Sequence, residues 1–216
     1  MSYKLAIFDL DGTVLDTLDD LTDSVNHVLS QRGYKVRTAA EVRSYLGNGA
    51  KKLIERALPE GLPDETVVSV LEDYKLYYAD HSEIKTRPYP GIIQMLKELK
   101  RIGVKTAILS NKPDAPTKAL SQRYFNGLID YAAGENADIP RKPAPDGVRV
   151  ILEKLGISAN EAVFVGDSEV DIATAKNSGM DCISVEWGFR DPDFLIASGS
   201  DRSAKTAEQL LNYIIN

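Results

Sequence analysis

Two acidic clusters follow two short apolar runs, and they are the residues of this sequence best suited to chemistry. In the first, Asp9 and Asp11 come directly after the run Leu5–Phe8, and Gly12 and Thr13 follow them. Because an extended chain repeats every second residue, both carboxylates can point to one place, and Gly12 lets the backbone turn sharply. An acidic turn that caps a helix has a similar pattern, so a purely structural role also fits this motif.

The second cluster is Gly166-Asp167-Ser168-Glu169-Val170-Asp171, which follows the apolar run 162–165. Asp167 lies at the end of that run, and Asp171 shares its side of a helix if the helix begins by Asp167. A capping acid and a helix-dipole acid explain this pair, but not why two separate runs both end in acids. Four converging carboxylates repel one another, which implies a hard divalent cation. Mg²⁺ is suited, since it binds through few carboxylates and brings phosphate oxygens with it.

Two weaker candidate sites lie between the acidic clusters. Ser110 and Asn111 close the apolar run 104–109, where a hydroxyl and backbone N–H groups are natural phosphate donors. Lys142 lies in the stretch 141–146, whose prolines restrict the backbone. Taken alone, these residues also fit a polar loop and a solvated surface lysine, which are the simpler interpretations.

Short apolar runs alternate with helical patterns, and these elements must position the candidate residues. The predicted strands are residues 5–8, 104–109, 162–165 and 182–185, with a weaker one at 129–133. The predicted helices are residues 92–102, 148–155, 172–177 and 206–215. Short runs without alternation are typical of parallel strands that are buried on both faces. The sequence therefore predicts an α/β fold with a doubly wound parallel sheet, which binds ligands at the carboxyl ends of its strands.

Residues 17–82 interrupt this alternation, since helical patterns occur there without a convincing strand. We call this segment the helical insert. The simplest organisation is an all-helical domain at 17–82 that follows the first strand, with residues 1–16 and 83–216 forming the α/β domain. The stretch 87–91, Arg-Pro-Tyr-Pro-Gly, is predicted to be the hinge by which the chain returns.

Composition and charge exclude several classes of protein. The chain has 216 residues and a formal net charge of −6, whereas a protein that binds nucleic-acid phosphates needs a basic face. The single cysteine, Cys182, excludes an internal disulfide and is expected to pack in the core, and two histidines are too few for the common zinc sites. The sequence shows no secretory signal and no run long enough to cross a membrane, which predicts a cytoplasmic protein.

Taken together and in this order, the four sites resemble the haloacid dehalogenase-like phosphatase superfamily over essentially the whole chain. The shared elements are Asp9-x-Asp11-Gly12-Thr13, Ser110, Lys142 before Pro143, and Gly166-Asp167-x-x-x-Asp171. The helical insert resembles the small α-helical cap of that superfamily, and the sheet its Rossmann-like core. Three further segments are most similar to the phosphoglycolate phosphatase branch: Leu46-Gly47-Asn48-Gly49, Ser110-Asn111-Lys112-Pro113 and Lys142-Pro143-x-Pro145-Asp146.

The resemblance implies a role for each core residue. Asp9 is then the nucleophile, which becomes an aspartyl-phosphate, and Asp11 protonates the leaving oxygen and later deprotonates the hydrolytic water. Ser110 and Lys142 hold the phosphoryl oxygens. The implied metal-binding set for Mg²⁺ is Asp9, the backbone carbonyl of Asp11, Asp167 and, in orienting the metal shell, Asp171.

The predicted substrate-binding residues are Thr13, Asn111, Gly47, Asn48 and Lys51. A helical stretch begins near Ala50, and a helix N-terminus offers unpaired N–H groups to an anion. We therefore expect a substrate that carries a second negative group, such as a carboxylate, near its phosphate. An exposed basic helix face without substrate contact is the open alternative.

The expected partner is a small phosphorylated metabolite, bound by a monomer or weak homodimer, with no nucleic acid and no membrane. Within the same superfamily, a pyrophosphatase, a phosphosugar phosphatase or mutase, and an enzyme that cleaves C–X or C–P bonds are alternatives. Asp11 argues against the C–X and C–P chemistries, which need no leaving-group acid, and Thr13 resembles the residue of phosphatases at this position. A non-catalytic phosphoacceptor module is an alternative of a different class.

Overall fold

The computed structural model describes residues 3–137 and 139–216, so the first two residues of the predicted 1–16 segment lie outside the described residues. Its centre is a six-stranded parallel sheet with the strand order β5-β4-β1-β6-β7-β8. The strands are β1 Leu5–Phe8, β4 Lys105–Pro113, β5 Tyr131–Glu135, β6 Ala162–Gly166, β7 Asp181–Val185 and β8 Ser203–Ala204. The sequence leads first to one side of β1 and then to the other, which confirms the doubly wound α/β fold.

Helices cover both faces of this sheet, which explains why its central strands β1 and β6 are uninterrupted apolar runs. In β1, Ala6 and Phe8 belong to the hydrophobic cluster on one face, and Leu5 and Ile7 to the cluster on the other. Helices α5, α6 and α10 contribute to the first cluster, and α7 and α8 to the second. These helices are α5 Ile92–Arg101, α6 Asp114–Phe125, α7 Asp146–Leu155, α8 Glu169–Asn177 and α10 Ala207–Ile215, and the short helix α9 is Pro192–Ala197.

The helical insert folds into four helices around a hydrophobic cluster of its own. The helices are α1 Leu18–Gln31, α2 Ala39–Tyr45, α3 Gly49–Ala57 and α4 Asp64–His81. Residues 17–82 are all described and contain no strand, as expected. The domain boundaries at 16/17 and 82/83 stay a prediction.

A two-stranded antiparallel ribbon joins the helical insert to the sheet domain. It consists of β2, Leu15–Asp16, and β3, Arg87–Pro88. Beside it, the Asp20 carboxylate accepts the backbone N–H groups of Lys85 and Thr86 at 2.8–3.0 Å. The stretch 87–91 predicts a hinge in this region, but the strand pairing has no signal in the sequence, because a two-residue strand has no periodicity.

Among the differences from the expected strand and helix ends, two affect the site. The strand expected to end at residue 109 continues to Pro113, with an irregular register after Leu109, so Ser110 and Asn111 lie within β4. Helix α8 begins at Glu169, with Ser168 as its N-cap, so Asp167 precedes the helix. Across the described ranges, no helix is both long and apolar enough to cross a membrane.

Candidate active site

The carboxyl ends of three neighbouring strands bring the predicted core residues together. Asp9 follows β1, Asp167 follows β6, and Ser110 lies near the end of β4. These strands are adjacent in the sheet, with β1 in the middle, where the strand order changes direction. This is the crevice in which open α/β sheets bind ligands.

Lys142 connects two of the acids, although it is distant from both in the sequence. Its Nζ lies 2.9 Å from Asp9 Oδ1 and 2.7 Å from Asp171 Oδ1, and its side chain is 2% exposed. Burial alone lowers the pKa of Lys142, but the charges of Asp171 and Asp9 outweigh that effect, so the pKa is raised above its ordinary value. The ammonium group is therefore kept charged beside the predicted nucleophile.

Asp171 completes the capping box at the start of α8. Its Oδ2 accepts the Ser168 hydroxyl at 2.7 Å and the backbone N–H groups of Ser168 and Asp167 at 3.1 and 3.2 Å. Its Oδ1 accepts the Lys142 ammonium. Asp171 therefore orients both Lys142 and the backbone that carries Asp167.

Asp167 is buried and held from both sides. The Thr13 hydroxyl donates to its Oδ1 at 3.0 Å, and the Phe189 N–H donates to its Oδ2 at 2.7 Å. Burial, followed by the charges of Asp171 and Asp9, raises the pKa of Asp167 to about 8. Gly12 has a φ of +83°, and a Cβ there would lie 2.4 Å from Asp167 Oδ2, so only glycine fits this close approach.

Asp9 is buried at the carboxyl end of β1 and is 8% exposed. Its Oδ1 accepts the Leu10 N–H at 2.7 Å and contacts Lys142. Burial raises the pKa of Asp9 to about 7, against the lowering effect of the Lys142 ammonium. Burial therefore disfavours the ionised form of the Asp9 carboxyl group unless a further positive charge lies nearby.

Asp11 is paired with a lysine that the sequence analysis quoted only as part of a motif. Lys112 Nζ lies 3.0 Å from each carboxylate oxygen of Asp11, and it lies 4.6 Å from the ring centre of Tyr78 in α4. The Lys112 side chain is only 4% exposed. The sequence contains a signal for this position of Lys112. Ser110 and Lys112 are two residues apart, so their side chains share one face of a strand.

The acids together fit a divalent cation. Asp9, Asp167 and Asp171 can each offer one carboxylate oxygen such that all three lie within 4.8 Å of one another. With Asp11, the site has four carboxyl groups, and in the described part of the chain two ammonium groups contact them, those of Lys112 and Lys142. When all four carboxyl groups are ionised, two negative charges are uncompensated, which is the charge that one Mg²⁺ offsets, and oxygen donors are its preferred ligands.

Ser110 and Asn111 have different surroundings. Ser110 lines the cavity, and its Oγ accepts the Lys112 N–H at 3.2 Å. Asn111 Nδ2 donates to the carbonyls of Gly47 and Lys142 at 3.1 and 3.0 Å. Asn111 therefore ties the helical insert to the loop that carries Lys142, while its buried Oδ1 has no partner in the described part of the chain.

A cavity of about 600 Å³ separates the helical insert from the carboxyl end of the sheet. Asp9, Asp11, Ser110 and Asp167 lie on its sheet side, and Gly47, Gly49, Ala50 and Lys51 lie on the insert side. Two predicted substrate-binding residues, Thr13 and Asn48, are not among its lining residues. Thr13 is fully buried with its hydroxyl on Asp167, and the Asn48 carbonyl accepts Arg141 at 3.2 Å.

The loop after β7 holds the insert over this cavity. Phe189 packs within the hydrophobic cluster of the helical insert. Arg190 donates to the Leu46 carbonyl at 2.8 Å and pairs with Glu169 at 2.9 Å. Neither residue belongs to a motif that the sequence indicates. In the same loop, the Trp187 Nε1–H donates to the Thr13 carbonyl at 3.0 Å.

Comparison with known proteins gives a consistent set of relatives. Residues 6–185 match the family model of haloacid dehalogenase-like hydrolases. The chain is 32% identical to the phosphoglycolate phosphatase of Mesorhizobium japonicum, over 98% of both chains. It is 35% identical to phosphoglycolate phosphatase 1 of Pseudomonas aeruginosa, over 86% of this chain and 70% of that protein.

Solved structures are similar over the whole fold. A crystal structure from Lactobacillus delbrueckii subsp. bulgaricus, assigned as a phosphoglycolate phosphatase, superimposes with a TM-score of 0.96 at 40% identity and covers 100% of both chains. CbbY from Rhodobacter sphaeroides, in complex with phosphate, has a TM-score of 0.75 at 25% identity over 96% of both chains.

Proposed function

Because this chain belongs to the haloacid dehalogenase-like hydrolase family, we propose that it is a Mg²⁺-dependent hydrolase of small phosphomonoesters, with phosphoglycolate as the first candidate substrate. The chain is a phosphatase-type hydrolase, in line with the phosphoglycolate phosphatases among its relatives. The single observation that carries the proposal is the contact of the buried Lys142 with Asp9, which lies beside Asp167 and lines the cavity with it. The cytoplasmic location and the monomeric or weakly dimeric state stay predictions of the sequence.

In the proposed first step, the Asp9 carboxylate attacks the phosphorus atom, and the bond between phosphorus and the leaving oxygen breaks. Asp11 donates a proton to that oxygen, so the product leaves as an alcohol. Lys142 and Ser110 bind the phosphoryl oxygens, whose charge spreads as the bond breaks. The result is an aspartyl-phosphate on Asp9.

In the proposed second step, Asp11 takes a proton from a water molecule, whose oxygen attacks the phosphorus atom. Inorganic phosphate leaves, and the Asp9 carboxylate is regenerated. The residues that would hold Mg²⁺ are Asp9, the Asp11 carbonyl and Asp167, while Asp171 orients them. When bound, the ion supplies positive charge that neutralises both the phosphate and the attacking carboxylate.

The start of α3 supports an anionic substrate such as phosphoglycolate. Gly49, Ala50 and Lys51 line the cavity with the first turn of the helix. Their backbone N–H groups precede the first intrahelical bond, and the Asn48 side chain makes no capping hydrogen bond to the described residues. These N–H groups can therefore bind a carboxylate of the substrate.

Substitution of the nucleophile tests the proposal. Asp9→Asn keeps the size of the side chain but removes the attacking charge, so phosphate release from phosphoglycolate and p-nitrophenyl phosphate should fall by at least about 10³-fold. EDTA should abolish wild-type release, and added Mg²⁺ should restore it. The exposed acid Asp193 offers a matched control, Asp193→Asn, which should retain wild-type rates.

Two results would contradict the proposal. Substantial steady-state activity of Asp9→Asn would exclude covalent catalysis by Asp9. A wild-type protein that becomes phosphorylated but does not turn over would be a phosphoacceptor module instead.

A further inference from the structure

The helical insert contributes an apolar surface to the cavity. Binding of a two-carbon acid such as phosphoglycolate does not require this surface. Six buried side chains from α1, α3, α4 and the residue that follows α2 form it: Leu21, Leu46, Leu53, Leu71, Tyr74 and Tyr78. The rings of Tyr74 and Tyr78 are nearly parallel, with their centres 5.5 Å apart. Pro113 and Pro116 extend the apolar lining on the sheet side. We call this surface the apolar wall.

The charged side chains that the helical insert contributes to the cavity, Lys51 and Lys75, lie at its rim, whereas Lys112 of β4 lies 4.6 Å from the ring centre of Tyr78. Lys51 and Lys75 are about half exposed, and Lys75 pairs with Glu72 at 2.9 Å. Arg141 is also partly exposed and donates to the Asn48 carbonyl. A ligand that extends from the phosphate site along the apolar wall therefore meets hydrocarbon and aromatic surface.

We propose that the enzyme also hydrolyses phosphomonoesters whose leaving group carries an apolar or aromatic body, which the apolar wall binds. This inference rests on the proposed phosphatase function and extends it to a second substrate class. Cavities of roughly 300–1,000 Å³ enclose ligands of drug size, and the cavity here, at about 600 Å³, is far larger than a two-carbon acid. A strongly polar leaving group would lose water against the four leucines of the apolar wall, which offer no hydrogen bonds in return.

A series of straight-chain alkyl phosphates, from methyl to hexyl, tests this substrate class. Their alcohols have nearly equal acidity, so differences in kcat/KM report binding of the chain rather than reactivity of the ester. We expect kcat/KM to rise about fourfold for each added methylene up to butyl, since each is removed from water on the apolar wall. Replacing the terminal methyl of butyl phosphate by a hydroxyl, as in 3-hydroxypropyl phosphate, should lower kcat/KM about tenfold.

Two variants on α4 connect this dependence to the wall. Leu71 is 7% exposed and lines the cavity, whereas Leu76 is 73% exposed on the same helix. In Leu71→Asn the rise per methylene should fall below about twofold, because a polar group replaces part of the apolar wall. In the matched control, Leu76→Asn, the wild-type dependence should remain.

The alkyl phosphate series measured with the wild-type enzyme tests the inference even if Leu71→Asn does not fold. A kcat/KM that is flat or falls with chain length, while p-nitrophenyl phosphate and methyl phosphate are hydrolysed, would overturn the apolar wall as a substrate site. Absence of hydrolysis for every phosphomonoester would contradict the proposed function instead. A steep rise that persists unchanged in folded Leu71→Asn would place the alkyl group elsewhere and would also overturn the inference.

Discussion

Two buried lysines form ion pairs with different acids of the site. Lys142 contacts Asp9 and Asp171, whereas Lys112 contacts Asp11 through both carboxylate oxygens. The two proposed functions of the acids, nucleophilic attack and proton transfer, are thus supported by different cations. Such a division is expected where neighbouring carboxyl groups must take different roles.

Replacement of Lys112 tests whether it positions Asp11. Lys112→Met keeps an unbranched stem against Tyr78 but removes the ammonium group. With an alkyl phosphate, whose leaving oxygen needs a proton, kcat should fall about 10²-fold with little change in KM. With p-nitrophenyl phosphate the fall should be under about tenfold, because that leaving group departs without a proton.

Lys118 provides the control for this prediction. It pairs with Asp114 on the exposed side of α6, so Lys118→Met should leave kcat on both substrates unchanged. If Lys112→Met lowers kcat equally on both substrates, Lys112 does not act through the proton-transfer step.

Among the elements, α3 has its N-terminus in the cavity and its two neighbouring lysines in different positions. Lys51 lines the cavity and Lys52 does not, although both side chains are about half exposed and both pair with Glu55, at 3.9 Å for Lys51 and 2.5 Å for Lys52. If this helix end binds the substrate carboxylate, substitution of these two adjacent and chemically identical side chains should affect activity differently.

Lys51→Met should lower kcat/KM for phosphoglycolate by about three- to tenfold, since the Lys51 side chain is half exposed and its attraction is partly screened. For p-nitrophenyl phosphate, which has no second anion, kcat/KM should stay the same. Asn48→Ala should show the same selectivity if the Asn48 turn contributes. Lys52→Met is the control and should affect neither substrate.

If kcat/KM falls equally for both substrates, or for neither, the start of α3 does not bind the substrate carboxylate. The preference for phosphoglycolate would then rest on the similarity to known phosphatases alone.

For the whole molecule, buried carboxyl groups couple folding to pH and to the metal. The pKa of Asp9 is raised to about 7 and that of Asp167 to about 8, mainly by burial. A carboxyl group whose pKa is higher in the folded than in the unfolded chain binds more protons when folded. Between the ordinary value of 3.8 and about 8, the contribution of these groups to the stability of the metal-free protein therefore falls as pH rises.

We expect the Tm in EDTA to fall by a few degrees between pH 6 and pH 8, and Asp167→Asn, which has no charge to bury, should show a smaller fall. The increase in Tm on adding Mg²⁺ should grow over the same range in the wild type, because the ion binds ionised carboxylates. Thermal unfolding at several pH values measures both effects. A Tm difference between wild type and Asp167→Asn that does not vary with pH would contradict the coupling.

Much of the fold follows from local sequence patterns, and these were predicted correctly. The apolar runs identify five of the six sheet strands, and the acids at the ends of β1 and β6 indicate where the site lies. These features are local, because a strand buried on both faces must be apolar along its length and the residue after it must emerge at the sheet edge. The sequence by itself therefore determined the fold class and the placement of Asp9 and Asp167.

The remaining features depend on contacts between distant residues, which only the tertiary structure decided. The Lys112–Asp11 pair joins residues 101 positions apart, and the Arg190–Leu46 contact joins residues 144 apart. The apolar wall looks like an ordinary helix core in the sequence, because periodicity reports that a face is buried but not what covers it. The docking of the helical insert on the sheet leaves part of that face on a cavity, and under the proposed mechanism this arrangement decides which leaving groups can reach Asp9.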